Sequence, residues 1–178
     1  LLFDSDPKRS GVWTHFTAYE KLSDRFQLVA ACDPLAERCL LALNRKPDLR
    51  IYKDLSTMMS NESLDIVSLC TPVEYHAEQI IFCSGKVRAV ICEKPLGVDS
   101  NECKNAVEAC EKAGSVLAVN YYKRYDGVVP LVKTILSEEM LGTIRSATMY
   151  YSGPLDAVCS HAVDLLLFLL GPIMLKEV

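Results

Sequence analysis

Short apolar runs alternate with amphipathic segments along most of this chain, from about residue 27 to residue 119. The segments between the runs carry apolar residues at the spacing of one helix face. The runs are continuous, as expected of strands buried on both faces, and lie at 27–32, 65–70, 87–92 and 115–119. This alternation predicts an α/β fold with a doubly wound parallel sheet and helices on both of its faces.

The composition is that of a soluble globular protein and argues against two classes of partner. The formal net charge is −4 over 178 residues and no basic stripe is visible, so nucleic acid is not expected. The longest apolar run, at 165–175, is interrupted by Gly171-Pro172 and is too short to span a bilayer. Acidic residues directly follow the apolar residues 1–3, a pattern for which we expect no signal peptide. We expect a cytoplasmic protein with no nucleic-acid or membrane partner.

The eight cysteines show no C-x-x-C spacing, and most fall inside apolar runs or on apolar helical faces. That distribution is typical of buried thiols in a reducing compartment. It predicts neither a disulfide framework nor a metal site. The positions concerned are Cys32, Cys39, Cys70, Cys83, Cys92, Cys103, Cys110 and Cys159.

Several helix ends can be predicted from capping residues. Residues 33–34, Asp-Pro, are expected to open a helix with proline at its first position. Residues 71–74 and 99–102 have capping-box spacing, and the first of these segments also places proline at the first helical position. Gly114 is expected to end the helix that starts at 99.

The chain changes character after residue 119, and we place a domain boundary there. Residues 1–119 would form one domain and residues 120–178 the start of a second. The second part opens with an aromatic and basic stretch at 120–126. We predict that helix, strand, helix and strand follow in that order, at 128–140, 144–151, 160–170 and 173–178.

Polar side chains directly follow three of the predicted strands, namely Asp33, Thr71 and the pair Glu93-Lys94. The carboxyl ends of parallel strands share one edge of a sheet, where ligands bind in open α/β folds, so these residues should converge. An acid at the position of Asp33 hydrogen-bonds ribose hydroxyls and repels a 2′-phosphate, which favours NAD. An equally good interpretation makes Asp33 only the N-cap of the following helix.

The other two strand ends also have two interpretations each. Thr71-Pro72 brings free helix amides to the edge, where they could face an anion or a nicotinamide, but an ordinary capped helix is the better interpretation. A histidine at the place of His76 is more often structural than catalytic. Lys94 is either a solvated loop lysine or a catalytic amine. Its position between a buried strand and Pro95 favours the second, because burial and neighbours tune lysine.

Four sequence motifs occur in one order along the chain. They are Thr71-Pro72-x-x-x-His76, Glu93-Lys94-Pro95, residues 120–126 (Asn-Tyr-Tyr-Lys-Arg-Tyr-Asp) and residues 160–166 (Ser-His-Ala-Val-Asp-Leu-Leu) followed by Leu-Leu-Gly at 169–171. Together they resemble the glucose–fructose oxidoreductase / inositol dehydrogenase family (Gfo/Idh/MocA) from about Trp13 to the end of the chain.

The resemblance implies an N-terminal Rossmann-type domain and a C-terminal α/β domain built on an open, mainly antiparallel sheet. It implies an oxidoreductase that transfers a hydride between a hydroxyl of a sugar, inositol or related polyol and a nicotinamide cofactor, NAD rather than NADP. Lys94 would contact the reacting hydroxyl and His161 would be the general base, a task that suits its unperturbed pKa of about 6.5. The implied cofactor-binding residues are Asp33 at the adenosine ribose and, near the nicotinamide, Thr71, Pro72, His76, Glu93, Lys94, Asn120 and Tyr122.

The chain departs from the family pattern in three places. It lacks the first strand with its G-x-G-x-x-G phosphate turn, and it stops soon after the histidine helix, so we expect a piece truncated at both ends. Ala157 stands where many members have an acid, and Asp156 is one position away. The alternative function is therefore a non-catalytic nucleotide-binding sensor or regulator, or an inactive fragment. The full-length protein would be a homo-oligomer.

Overall fold

The structure, a computed structural model, describes residues 11–153 and 158–172. Within these residues the chain divides into two compact units, one ending at Ser68 and the other starting at Leu69. The domain boundary that the sequence suggests near residue 119 is a different division, and it remains a prediction.

The first unit contains three helices and a two-stranded parallel sheet in which Ala30 pairs with Arg50 and Cys32 with Tyr52. Two of its helices begin at good capping residues, since the Thr14 and Asp54 side chains accept hydrogen bonds from backbone N–H groups of the first turn. In chain order the elements are α1 (His15–Lys21), β1 (Ala30–Cys32), α2 (Ala36–Arg45), β2 (Arg50–Tyr52) and α3 (Leu55–Asn61).

The start of α2 differs from its prediction, because proline does not occupy the first helical position. The helix begins at Ala36 with Leu35 at its N-cap. Asp33 Oδ1 accepts a hydrogen bond of 2.9 Å from the backbone N–H of Leu35. An aspartate that binds the backbone two residues ahead stabilises a turn, and this turn delays the helix by two residues.

The second sheet has three strands in the order β3–β4–β5. Strands β4 and β5 are parallel over their whole length, from Ala89 opposite Val116 to Cys92 opposite Val119. The parallel sheet predicted from the continuous apolar runs is therefore confirmed. The elements are β3 (Ile66–Leu69), a 3₁₀ turn (Val73–Tyr75), α4 (His76–Cys83), β4 (Ala89–Cys92), α5 (Ser100–Ala113), β5 (Val116–Val119), a second 3₁₀ turn (Tyr122–Tyr125), α6 (Val128–Ser137) and α7 (Ser160–Leu170).

The core of the second unit fixes the strand ends from which the site is built. Helices α4 and α5 pack against each other, and side chains from both helices and from β4 are fully buried. Burying an aliphatic side chain of this kind contributes about 1.5–3 kcal/mol relative to leaving it exposed. The fully buried residues are Ile80, Cys83, Val90, Cys92, Ala106 and Cys110.

The structure contains the helix caps predicted for α5 but not the capping box predicted at 71–74. The Asp99 carboxylate accepts hydrogen bonds from the backbone N–H groups of Asn101 and Glu102, and Gly114 ends α5 in the left-handed conformation at φ 71°. The capping box predicted at 71–74 is absent. The Thr71 hydroxyl donates instead to Gln79 Oε1 at 2.7 Å, and a 3₁₀ turn precedes α4. A side chain engaged with the body of the helix cannot cap the helix start.

The strand predicted at 144–151 is also wrong. These residues carry no assigned secondary structure, pair with no other described segment, and most are exposed. Alternating apolar residues form a strand only when a neighbouring strand accepts their backbone hydrogen bonds. The strand predicted at 173–178, as well as Asp156 and Ala157, lie outside the described residues.

Two negative observations apply to the described part of the chain. No helix there combines the length and the apolar character that crossing a membrane requires. All eight cysteines carry free thiols; Cys83, Cys92, Cys110 and Cys159 are buried, whereas Cys70, at the carboxyl end of β3, is exposed.

Candidate active site

Lys94 lies immediately beyond the end of β4, in a loop held to the neighbouring strand. The backbone N–H of Glu93 donates to the Leu69 carbonyl at 2.9 Å, which extends the β3–β4 pairing one residue past the strand. The Lys94–Pro95 peptide bond that follows is cis. Lys94 itself is half-buried. The strand thus delivers the lysine to the sheet edge that the sequence pattern predicted.

The Glu93 carboxylate joins the ends of two strands. Its Oε1 accepts a hydrogen bond of 2.7 Å from the Asn120 side-chain amide, and its Oε2 accepts one of 3.3 Å from the backbone N–H of Lys94. The backbone N–H of Asn120 donates in turn to the Cys92 carbonyl at 2.8 Å. Glu93 and Asn120 therefore order the carboxyl ends of β4 and β5 around Lys94.

His76 is buried beneath this edge, with only 1% of its surface exposed. Its Nδ1 lies 2.8 Å from the Pro95 carbonyl oxygen and its Nε2 lies 2.8 Å from the Thr71 carbonyl oxygen. Both ring nitrogens face the protein's own backbone. The arrangement supports a structural role for the ring.

His161 lies in the first turn of α7 and is the second candidate catalytic residue. It is 9% exposed, and the rings of Tyr121 and Tyr122 approach it edge-on, with centroids at 5.7 Å and 5.3 Å. Its Nδ1 is buried without a hydrogen-bond partner in the described structure. A buried polar atom without a partner costs free energy, so such an atom is a candidate contact for a bound ligand.

The charge state of His161 is biased toward the neutral imidazole. Burial is the main cause that lowers its pKa below the usual 6.5, and the positive charges of Lys94 and Lys123 lower it further. The Asp164 and Glu93 carboxylates oppose this shift but do not reverse it. A neutral imidazole near pH 7 can accept a proton, which is what a general base has to do.

The sequence motifs contain an ion pair to which sequence analysis gave no role. Arg124 Nε lies 2.9 Å and 3.1 Å from the two carboxylate oxygens of Asp164, and a second guanidinium nitrogen also binds this carboxylate. The guanidinium carbon lies 5.3 Å from the centre of the Phe168 ring. Asp164 lies on the apolar helix α7 and is only 7% exposed. Because a buried charge needs a partner of opposite charge, an acid within an apolar helical sequence indicates that such a partner lies elsewhere in the chain.

The remaining candidate residues occupy different surroundings. Asp33 belongs to the first unit, where its Oδ2 lies 3.4 Å from Arg38 Nη1 and its backbone N–H donates to the Tyr52 carbonyl. Pro72 is exposed and precedes the first 3₁₀ turn, and Tyr122 is half exposed. The second unit brings together Thr71, His76, Glu93, Lys94, Asn120, Tyr122 and His161. Among the described residues, no group of histidine, cysteine or acidic side chains could hold a metal ion.

The chain is similar to known proteins both in sequence and in fold. The sequence profile of the Gfo/Idh/MocA family, described as an oxidoreductase family with an NAD-binding Rossmann fold, matches residues 12–121. D-apiose dehydrogenase of Paraburkholderia graminis is 28% identical over 176 residues, which cover 89% of this chain and 47% of that protein. Inositol 2-dehydrogenase of Salmonella typhimurium is 27% identical over 118 residues, which cover 65% of this chain and 35% of that protein.

Solved structures give the same result. The WlbA dehydrogenase of Bordetella pertussis, crystallised with NADH and UDP-GlcNAcA, is 28% identical and superposes with a TM-score of 0.78 over 89% of this chain and 54% of its own. The chain spans about a third to a half of the length of the curated relatives that it matches. The match to the family profile covers more than half of the chain, and the chain therefore belongs to the Gfo/Idh/MocA oxidoreductase family, whose fold is the NAD-binding Rossmann fold.

Proposed function

We propose that the protein is an NAD-dependent oxidoreductase that transfers a hydride between a CH–OH group of a sugar, inositol or related polyol and the nicotinamide. The observation that carries this proposal is the buried, unpartnered Nδ1 of His161, close enough to Lys94 for the lysine charge to lower the histidine pKa. Relatives named as apiose and inositol dehydrogenases support the substrate class.

The residues at the predicted ribose position fit NAD. One oxygen of the Asp33 carboxylate accepts a hydrogen bond from the Leu35 N–H, and the other lies 3.4 Å from Arg38 Nη1. A carboxylate oxygen of this kind can accept hydrogen bonds from ribose hydroxyls and would repel a 2′-phosphate, so NAD is preferred to NADP. When bound, NAD supplies the acceptor for the hydride.

The chain's own residues would handle the substrate oxygen and its proton. The Lys94 ammonium would lie beside the reacting hydroxyl and stabilise negative charge that develops on its oxygen. His161 would take the hydroxyl proton at Nδ1, since burial and the two lysine charges keep its ring neutral. The edges of Tyr121 and Tyr122 would limit water around this ring.

A titration followed by a turnover assay tests the proposal on the complete protein. We expect calorimetry to show binding of NAD in preference to NADP, and a panel of polyols and sugars to yield NADH. Lys94→Ala should reduce kcat by about a hundred- to thousandfold, as expected when one transition-state donor is lost. Lys104→Ala, which removes an exposed lysine of α5, is the matched control and should have no effect.

Each outcome of this assay separates the proposal from its alternatives. Nucleotide binding without turnover on any polyol would support the non-catalytic sensor or regulator. If no nucleotide bound at all, both ideas would be wrong.

We also propose the finer features that the sequence suggested. Residues 1–119 would contribute the cofactor domain and residues 120–178 part of the substrate domain, with the cytoplasm as the site of action. The protein would assemble with copies of itself. Light scattering coupled to size-exclusion chromatography measures the assembly, and a monomeric mass would contradict it.

A further inference from the structure

We propose that His76 is a positioning residue that holds the Lys94–Pro95 loop in place from beneath the sheet edge. The ring contacts the backbone carbonyls of Thr71 and Pro95, so its effect on Lys94 passes through the backbone. The catalytic consequence rests on the proposed function. The structural claim does not, and it can be tested without any substrate.

The first step of the inference is where the strand pairing stops. Among the hydrogen bonds of the described residues, the one between the Glu93 N–H and the Leu69 carbonyl joins the two chain segments just beyond the ends of β3 and β4. Beyond it the loops contain Thr71 on one side and Pro95 on the other. The His76 ring lies between these two residues, 2.8 Å from each carbonyl oxygen. The ring thus continues the connection past the end of the sheet.

The second step concerns Lys94, which is held on both of its flanks. On the N-terminal side, the backbone of Glu93 is bound to Leu69. On the C-terminal side, the carbonyl of Pro95 faces His76 Nδ1. One residue between two such contacts has little freedom to move its Cα. A catalytic amine needs this restriction because rate falls steeply when a reacting group is misplaced.

The third step is the chemistry of the ring. A neutral imidazole carries one N–H and can donate to one of the two carbonyls, whereas the doubly protonated ring donates to both. We assign the N–H of the neutral ring to Nδ1, which then donates to the Pro95 carbonyl and holds the lysine loop. The doubly protonated ring would also donate from Nε2 to the Thr71 carbonyl. Burial to 1% exposure keeps water from competing for either carbonyl.

The experiment separates the two contacts with three substitutions. His76→Phe keeps a ring and removes both ring nitrogens. His76→Asn places an amide N–H near the position of Nδ1, and His76→Gln places one near the position of Nε2. His15→Phe, which removes a half-buried histidine of the first unit, is the control. The readouts are amide hydrogen exchange of the peptide 93–98 and the acetylation rate of Lys94 relative to the exposed Lys104, both by mass spectrometry.

We expect the Phe and Gln variants to open the loop and the Asn variant to keep it closed. Loss of one hydrogen bond should raise the local opening, and with it both readouts, by about two- to tenfold. The His15→Phe chain should match the unmodified chain. The inference is overturned if all three His76 variants match the unmodified chain, or if Asn opens the loop as much as Phe does.

A measurement on the unmodified protein keeps the inference testable even if a variant does not fold. A ¹⁵N spectrum should show a slowly exchanging proton on His76 Nδ1, and a bare Nδ1 would overturn the inference. If the loop readouts change as expected but no polyol is oxidised, the proposed function fails and the positioning role stands. If the protein oxidises a polyol but the loop readouts do not change in the His76 variants, the positioning role fails and the proposed function stands.

Discussion

At the scale of single residues, the two side chains singled out as catalytic lie in one electrostatic environment. Lys94 comes from a strand end and His161 from a helix start, and the lysine charge reaches the imidazole. The sequence predicted both positions because motif residues keep a fixed relation to their elements. It did not predict the Arg124–Asp164 pair, whose members are 40 positions apart, because spacing does not encode which distant side chains meet in the packed structure.

The charges around His161 predict its titration. Lys123 disfavours the imidazolium, so replacing it by methionine should raise the His161 pKa, which lies below its usual 6.5 in the unmodified chain. An NMR titration of the ring protons measures this directly. Lys104→Met should leave the midpoint unchanged. A His161 midpoint above 6.5 in the unmodified chain would contradict the prediction.

The Arg124–Asp164 pair should stabilise the second unit. Asp164→Asn removes the charge of a carboxylate that is buried at 7% exposure and leaves the Arg124 guanidinium facing a neutral amide, and we expect it to cost about 1–3 kcal/mol of unfolding free energy. Urea denaturation followed by circular dichroism measures the change. Glu108→Gln breaks two exposed ion pairs on α5 and should cost less than about 0.5 kcal/mol. Equal effects of the two substitutions would show that burial does not strengthen the Asp164 pair.

At the scale of elements, local sequence signals succeeded where the side chain had only local partners. The start and end of α5 followed from Asp99 and Gly114, because a cap and a left-handed glycine depend on the adjacent backbone alone. The start of α4 did not follow from Thr71, whose hydroxyl binds Gln79 two turns away. Residues 144–151 have strand composition but no described partner, and pairing is a property that one segment cannot supply.

The glycine at the C-terminal end of α5 and the glycine at the N-terminal end of α6 give a matched test of backbone conformation. Gly114 has φ 71° and open space around it, so Gly114→Ala adds no clash but should cost about 1 kcal/mol of unfolding free energy. Gly127 has φ −50° and is equally open, so Gly127→Ala should be neutral or stabilise by about 0.4–1 kcal/mol. Thermal unfolding compares the two. The same sign of change at both positions would contradict this assignment.

At the scale of the whole molecule, the alternating pattern of strand and helix was sufficient to predict the parallel sheet. Continuous apolar runs predicted β3, β4 and β5, because a strand buried on both faces needs no polar positions. The cysteines follow the same logic. Cys83, Cys92 and Cys110 lie in the core, and burial raises the pKa of Cys83 to about 11 and that of Cys92 to about 12.

Burial predicts the order in which the thiols react. In a pulse of iodoacetamide at pH 8, the exposed Cys70 should be alkylated first, while Cys83, Cys92 and Cys110 should react only after unfolding. Mass spectrometry of digested samples, taken with and without urea, locates the label. Labelling of Cys92 in the folded protein as fast as that of Cys70 would mean that the core of the second unit opens readily.

The backbone around residue 94 is held by the Leu69 carbonyl and the His76 ring, and neither contact involves the Lys94 side chain. The side chain at position 94 can therefore be replaced without removing the contacts that hold its backbone. Genetic code expansion could place amines one methylene shorter or longer at this position without altering the groups that hold it. The length of the side chain at position 94 could then be varied alone. The dependence of the turnover rate on that length would measure how far the ammonium has to extend from the backbone.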